Sequence, residues 1–163
     1  MNLSPAPSVK RKVLAYITHQ EELLVFRQED YPYFGIQVPG GSIESGEAIV
    51  DALLREVYEE TGLKAVQIVD YLGSFWKVGQ ARMREYHAFH LQLTAPAPRR
   101  WRHYEEFSGA RKGPIAFDFF WVPLGNADWT LFRGQEMVPW LRRSFPAAFP
   151  QPVIPQALTM GAR

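Results

Sequence analysis

The stretch from Pro39 to Leu63 constrains this chain more than any other part of it. Pro39-Gly40-Gly41 breaks a short apolar run, and an amphipathic segment from Glu47 to Thr61 follows and stops at Gly62. Ala48, Ala52, Leu53, Leu54 and Val57 recur at helical spacing, which predicts a helix over Glu47 to Thr61 with Leu53, Leu54, Val57 and Leu63 in the core. Ser45 stands where an N-cap belongs, and the Glu47 carboxylate suits the positive end of the helix. Gly62 can adopt the left-handed conformation that ends a helix. A tight glycine turn must therefore lead into a helix that has a surface to pack on.

The rest of the chain is rich in strands. Val9 to Thr18 and Leu23 to Phe26 read as a hairpin around the polar turn His19 to Glu22. Gln28 to Tyr33 reads as a loop and Phe34 to Val38 as a short apolar run. Val66 to Lys77 and Arg84 to Leu93 read as two long strands, and Ile115 to Val122 as a buried one. Ala95 to Gly113 is a long loop, of the kind that carries function or moves. Gly134 to Ser144 predicts a second helix, kinked or begun by Pro139. Strands with two helices predict an α/β sandwich with a mixed β-sheet and helices on its faces. A chain of 163 residues suits one domain, placed at residues 9–145 between a flexible arm at 1–8 and a Pro-rich tail at 146–163.

Composition narrows the chemistry. There is no cysteine, which excludes a disulfide scaffold, a thiolate zinc site and a cysteine nucleophile. A net charge of +1 lacks the basic excess that grips a nucleic-acid backbone, so nucleic acid is not the expected partner. The N-terminal residues hold no apolar core of signal-peptide length, and no apolar run approaches the ~18 residues of a membrane span. The expectation is a soluble, cytoplasmic protein.

Arg55, Glu56, Glu59 and Glu60 crowd the last turns of the predicted helix. Spacings of three and four place the three carboxylates on one face. They repel one another unless water or a cation lies between them, so the face is either solvated or a metal site. Carboxylate oxygens are hard ligands and suit Mg²⁺ or Mn²⁺, ions that neutralise charge on phosphate oxygens. The glycines ahead of the helix let backbone groups come close to a metal or a phosphate.

The spacing is Gly41, five residues, Glu47, seven residues, then Arg55-Glu56-Val57-Tyr58-Glu59-Glu60-Thr61-Gly62-Leu63. This resembles the Nudix box at every fixed position, over 23 of the 163 residues. The resemblance implies a Nudix-type α/β/α sandwich whose catalytic loop–helix–loop holds divalent metal, Mg²⁺ or Mn²⁺. It implies Glu56, Glu59, Glu60 and the Gly40 carbonyl as metal ligands, with Glu47 beside the metals or their water. Arg55 would orient a box glutamate, a role compatible with a salt bridge to Asp51 or Glu59. The general base would be a box glutamate, Glu59 or Glu60, or a loop glutamate, Glu105 or Glu106, with Glu85 a further candidate.

The implied reaction is hydrolysis of a pyrophosphate linkage in a nucleoside diphosphate joined to another group, or in a nucleoside triphosphate. The alternative is a nucleotide-sensing domain that cuts nothing. The partner is a small nucleotide or nucleotide conjugate, and a homodimer is one expected assembly. Arg99, Trp101 and Arg102 could hold phosphate and stack a base, or form a solvated cluster over a core Trp. Arg100, Arg82 and Arg84 add positive charge nearby, and Tyr31, Tyr33 and Phe34 could frame a base or pack a loop down. Trp121 reads as core, and His19, His87, His90 and His103 lack metal-ligand spacing. The missing cysteines separate this chain from the isopentenyl isomerases and from dinucleotide pyrophosphatases with a cysteine zinc site. The proline that often follows the box in ADP-ribose hydrolases is absent, and Phe34 to Pro39 does not resemble the coenzyme A hydrolase motif.

Overall fold

The computed structural model describes residues 8–79, 82–106, 113–131 and 133–150. Among the described residues seven strands form one sheet: β1 Ser8–His19, β2 Glu22–Gln28, β3 Gly40–Ser42, β4 Val66–Val78, β5 Arg82–Leu93, β6 Arg100–Glu105 and β7 Ile115–Pro123. Three α-helices among the described residues accompany them: α1 Ile49–Thr61, α2 Ala127–Thr130 and α3 Val138–Arg142. The strand order is β4-β5-β1-β2-β7-β6, with β3 paired to β1 beside this path. β1 and β5 run parallel and the other pairs antiparallel, so the sheet is mixed as expected.

Alternation along the strands divides the core in two. Val13, Ala15 and Ile17 of β1 pack with Ala52, Leu53 and Val57 of α1 on one side. Tyr16 lies in the second cluster, with Val138 and Leu141 of α3. Trp121 joins the first cluster, as its apolar strand suggested. Helices on opposite faces of one sheet make the α/β/α sandwich. No helix among the described residues is long and apolar enough to cross a membrane.

Several local expectations need correction. The helix begins at Ile49 with Ala48 as N-cap, and neither Ser45 nor Glu47 lies in it. Gly46 turns the chain at φ +76, and the Arg55 guanidinium and the Glu44 amide, rather than the helix end, hold Glu47. Leu54 is 40% exposed because α1 buries only the face carrying Ala52, Leu53, Glu56, Val57 and Glu60. The glycine turn continues as β3, where Gly41 pairs with Val13. Around the apolar run from Phe34 to Val38, a 3₁₀ turn at Pro32–Phe34 precedes an isolated bridge from Gln37 to Phe26. Gln28 ends β2 instead of opening a loop.

The expected loop from Ala95 contains β6, paired with β7 from Arg100↔Phe120 to Glu105↔Ile115. Gly134, at φ +95, precedes a 3₁₀ turn, and Pro139 stands in the first turn of α3, so the second helix is short. Ser8 already pairs with Arg82 at the start of β1, and the rest of the proposed arm lies outside the described residues. Phe145 and Phe149 pack against the second core cluster, while the tail beyond residue 150 lies outside the described residues.

Candidate active site

β3 and α1 face each other closely, and two glycines make that possible. A Cβ on Gly40 would lie 2.3 Å from the Val13 carbonyl oxygen. A Cβ on Gly41 would lie 2.0 Å from the Glu56 carboxylate. The Gly40 amide donates to Glu60 Oε2 at 2.8 Å, so the turn ahead of the helix binds a carboxylate in its last turn.

Arg55 organises the acidic face. Its Nε and Nη2 donate to the two Glu47 oxygens at 2.8 and 2.9 Å. Its Nη1 donates to Glu56 and Glu59, both at 3.0 Å, and Nη2 also reaches the Ser42 carbonyl at 2.9 Å. The salt bridge to Glu59 is the helical pair read from the sequence, and the one to Glu56 holds a second box glutamate. The Arg55 fork, aided by the Glu44 amide, holds the Glu47 carboxyl down to about 2. Glu47 is thus a fixed anchor for Arg55.

Glu60, Glu56 and Glu105 are shifted upward. Burial pushes the Glu60 carboxyl well above the ordinary range, against the Gly40 amide that favours its ionised form. Burial also raises Glu56, opposed by Arg55. Glu105, at the end of β6, is pushed up to about 7, first by burial and then by the charges of Glu56 and Glu59. Carboxylate oxygens of Glu56, Glu59 and Glu105 lie within 4.8 Å of one another. Three hard donors sharing one small volume, where Gly41 leaves no room for a side chain, fit a hard divalent cation.

These residues open on a cleft of about 1120 Å³. Lys10, Lys12, Lys64 and Arg133 supply positive charge to its walls. Lys12 forms no ion pair among the described residues. Burial first, and Lys10 next, lower its pKa. Phe34 lines the same cleft beneath the Arg133 guanidinium, 5.2 Å from its ring centroid. Sequence reasoning missed Lys12, although a lysine inside the β-branched run Val9 to Thr18 was a visible anomaly. Gln28 and Arg133 were missed because only the folded sheet brings them to the cleft.

The structure brings Glu56, Glu59, Glu60, Glu105 and Glu106 together in the cleft wall, with Gly40 and Arg55. Glu47 stands behind them on Arg55. Glu85 stands apart, bonded to Arg11. Arg99, Trp101 and Arg102 lie outside this cleft. Arg99 pairs with Glu22, Arg100 with Asp118 at 2.7 Å, and Arg102 with Glu29 at 2.6 Å. Trp101 stacks on Phe119 at an interplanar angle of 17° and donates to the Thr61 carbonyl at 3.0 Å, so it packs on the core. Tyr33 is 69% exposed and sits edge-on to Tyr31, outside the cleft lining.

A family model described as NUDIX domain matches residues 9–143. An ADP-ribose pyrophosphatase of Methanocaldococcus jannaschii is 38% identical over 48 residues, which cover 29% of this chain and 28% of that protein. An RNA pyrophosphohydrolase of Brucella anthropi is 47% identical over 34 residues, 21% of this chain and 20% of that protein. The crystal structure of a UDP-X diphosphatase superposes with a TM-score of 0.60 at 19% identity, over 89% of this chain and 66% of that one. The chain therefore matches less than a third of either relative's length and just under two thirds of the solved structure.

Proposed function

The chain belongs to the Nudix family, and on that footing we propose that it is a metal-dependent hydrolase of a pyrophosphate linkage in a small nucleotide or nucleotide conjugate. The observation that carries this reading is the convergence of Glu56, Glu59 and Glu105 beside Lys12 in one cleft. An acidic cluster alone would repel a polyphosphate. A divalent cation held by the acids would offset that repulsion, and Lys12 and Lys10 in the cleft wall would meet the remaining negative charge.

Glu56 and Glu59 of that cluster would hold Mg²⁺ or Mn²⁺, with Glu60 and the Gly40 carbonyl as further donors and Glu105 left to act on the water. Bound there, the ion would neutralise charge on the phosphate oxygens and template the substrate. Arg55, anchored by Glu47, keeps Glu56 and Glu59 in place. Glu105 takes a proton from the water whose oxygen forms the new P–O bond. The bridging P–O bond breaks, and its electron pair leaves with the departing phosphate. Burial raises the Glu105 carboxyl, and a base works best near the operating pH. Glu106, also in the cleft wall, is the second candidate for the same proton.

The relatives act on different substrates by name, and the cleft chemistry fits any of them that presents a pyrophosphate. The test is phosphate and nucleotide release from about thirty nucleotides and conjugates, with Mg²⁺, Mn²⁺ or EDTA. Cleavage of one substrate class that EDTA abolishes is the expected result. Silence from folded protein that nucleotides still stabilise against heat would replace this reading with a sensor.

A further inference from the structure

Strand β6 presents alternate residues to the C-terminal turn of α1. Trp101 Nε1 donates to the Thr61 carbonyl at 3.0 Å. Two residues on, His103 Nε2 lies 2.9 Å from the Glu59 carbonyl. Two further on, Glu105 brings its carboxylate to the Glu56 and Glu59 oxygens. Arg100 and Arg102, on the alternate positions, turn the other way, to Asp118 and Glu29. A carbonyl only accepts, so His103 carries a proton on Nε2.

Helices leave their last carbonyls without intrahelical partners. In α1, the Tyr58 carbonyl accepts from the Gly62 amide, and β6 side chains take those of Glu59 and Thr61. β6 is the last strand of the sheet, and among the described residues its one strand partner is β7. The strand and the helix that carry the clustered acids are thus joined by two side-chain bonds. Trp101 is also held by stacking on Phe119 and by the core. His103 has no ring partner among the described residues, and the Glu59 carbonyl holds its imidazole. Gly62 is shaped to admit it: a Cβ there would come within 3.1 Å of the imidazole.

We infer that His103 is a positioning residue, whose bond to the Glu59 carbonyl sets how far Glu105 stands from the Glu56 and Glu59 carboxylates. This rests on the reading of Glu105 as the proton acceptor. The bond acts on the backbone of a residue whose own side chain belongs to the acidic cluster. A shift of β6 along α1 therefore moves the acceptor relative to that cluster, and small misplacements of reacting groups are costly.

The experiment compares His103→Phe, which keeps ring bulk without a donor, with His103→Gln, which keeps an N–H. Each is made in the wild-type and in a Glu105→Gln background. Hydrolysis is followed with Mg²⁺, using ADP-ribose and a nucleoside triphosphate as probes, and thermal unfolding is recorded alongside. Expected for His103→Phe is a fall in kcat of roughly 10- to 100-fold with little change in KM, and His103→Gln should restore it to within about threefold. In the Glu105→Gln background His103→Phe should cost nothing further, because its effect passes through Glu105.

If His103→Phe keeps kcat, raises KM alone, or loses the same factor in both backgrounds, the positioning role is overturned and Glu105 is untouched as the acceptor. If Glu105→Gln alone turns over at the wild-type rate, the acceptor reading falls and the inference falls with it. Should His103→Phe not fold, His103→Leu serves the same comparison.

Discussion

A Cβ on Gly41 would sit 2.0 Å from the carboxylate carbon of Glu56, although the two residues belong to a strand and a helix 15 positions apart. Gly41 is not among the residues of positive φ, so space rather than backbone freedom requires glycine there. Glu56 cannot easily retreat, since it is buried and held by Arg55. Gly41→Ala should therefore displace Glu56 or β3. The expected cost is about 1–3 kcal/mol from overpacking, with a larger proportional loss of activity than of stability. Denaturant unfolding and steady-state rates on the same preparation check this. An alanine variant of wild-type stability and rate would mean that the contact relaxes freely.

Arg55→Lys tests whether the network needs a fork or only a charge. Arg55 makes two bonds to Glu47, one each to Glu56 and Glu59, and one to the Ser42 carbonyl. A lysine ammonium has three donors and no planar fork, so it cannot satisfy Glu47 bidentately and still hold both box glutamates. The expected result is a folded protein whose kcat falls roughly 10- to 100-fold. Its Mg²⁺ requirement should also rise, read from rate against metal concentration. Unchanged metal dependence would reduce Arg55 to a helix salt bridge.

The box helix was legible because one chemical pattern repeated at helical period, and Gly62 closes it in the left-handed conformation expected. Leu54 misled because spacing identifies a helix before it identifies the edge of its buried face. β6 was hidden because Arg100, Arg102 and Glu105 look like loop residues. Their acidic partners Asp118 and Glu29 are distant in sequence, and only pairing with β7 explains the charges. The alternation of Trp101, His103 and Glu105 against Arg100, Arg102 and Tyr104 was the period-two signal available there. Glu105 could be read as an acid in the right region. Its approach to Glu56 and Glu59 is a property of the fold.

The raised carboxyls predict a pH dependence of known sign. Glu105 moves from 4.5 to about 7, and Glu56 and Glu60 shift in the same direction. The folded protein therefore binds more protons than the unfolded chain between those values. Its stability contribution is complete below about 4.5 and is lost as pH rises through about 7. Metal-free protein should melt at a lower temperature at pH 7.5 than at pH 5, since most of the fall lies between those two values. Mg²⁺ needs the ionised carboxylates, so it should restore the melting temperature more at the higher pH and release protons on binding. A metal-free melting temperature that climbs over this range would contradict the burial of these acids.

Lys12 is a desolvated cation facing the carboxylates across the cleft, with no ion pair among the described residues. Its burial works against folding, which suits a side chain retained for a ligand. Lys12→Met keeps the stem and removes the charge. The folded protein should be as stable as wild type or slightly more so, because the penalty of burying an ammonium disappears. Substrate binding should weaken, with KM rising about tenfold and kcat changing less if the lysine grips phosphate equally before and during reaction. A fall in kcat at constant KM would instead place the lysine against charge that develops only as the pyrophosphate bond breaks. A loss of stability without either kinetic change would show that Lys12 serves to offset Glu56 and Glu60 and never meets the substrate.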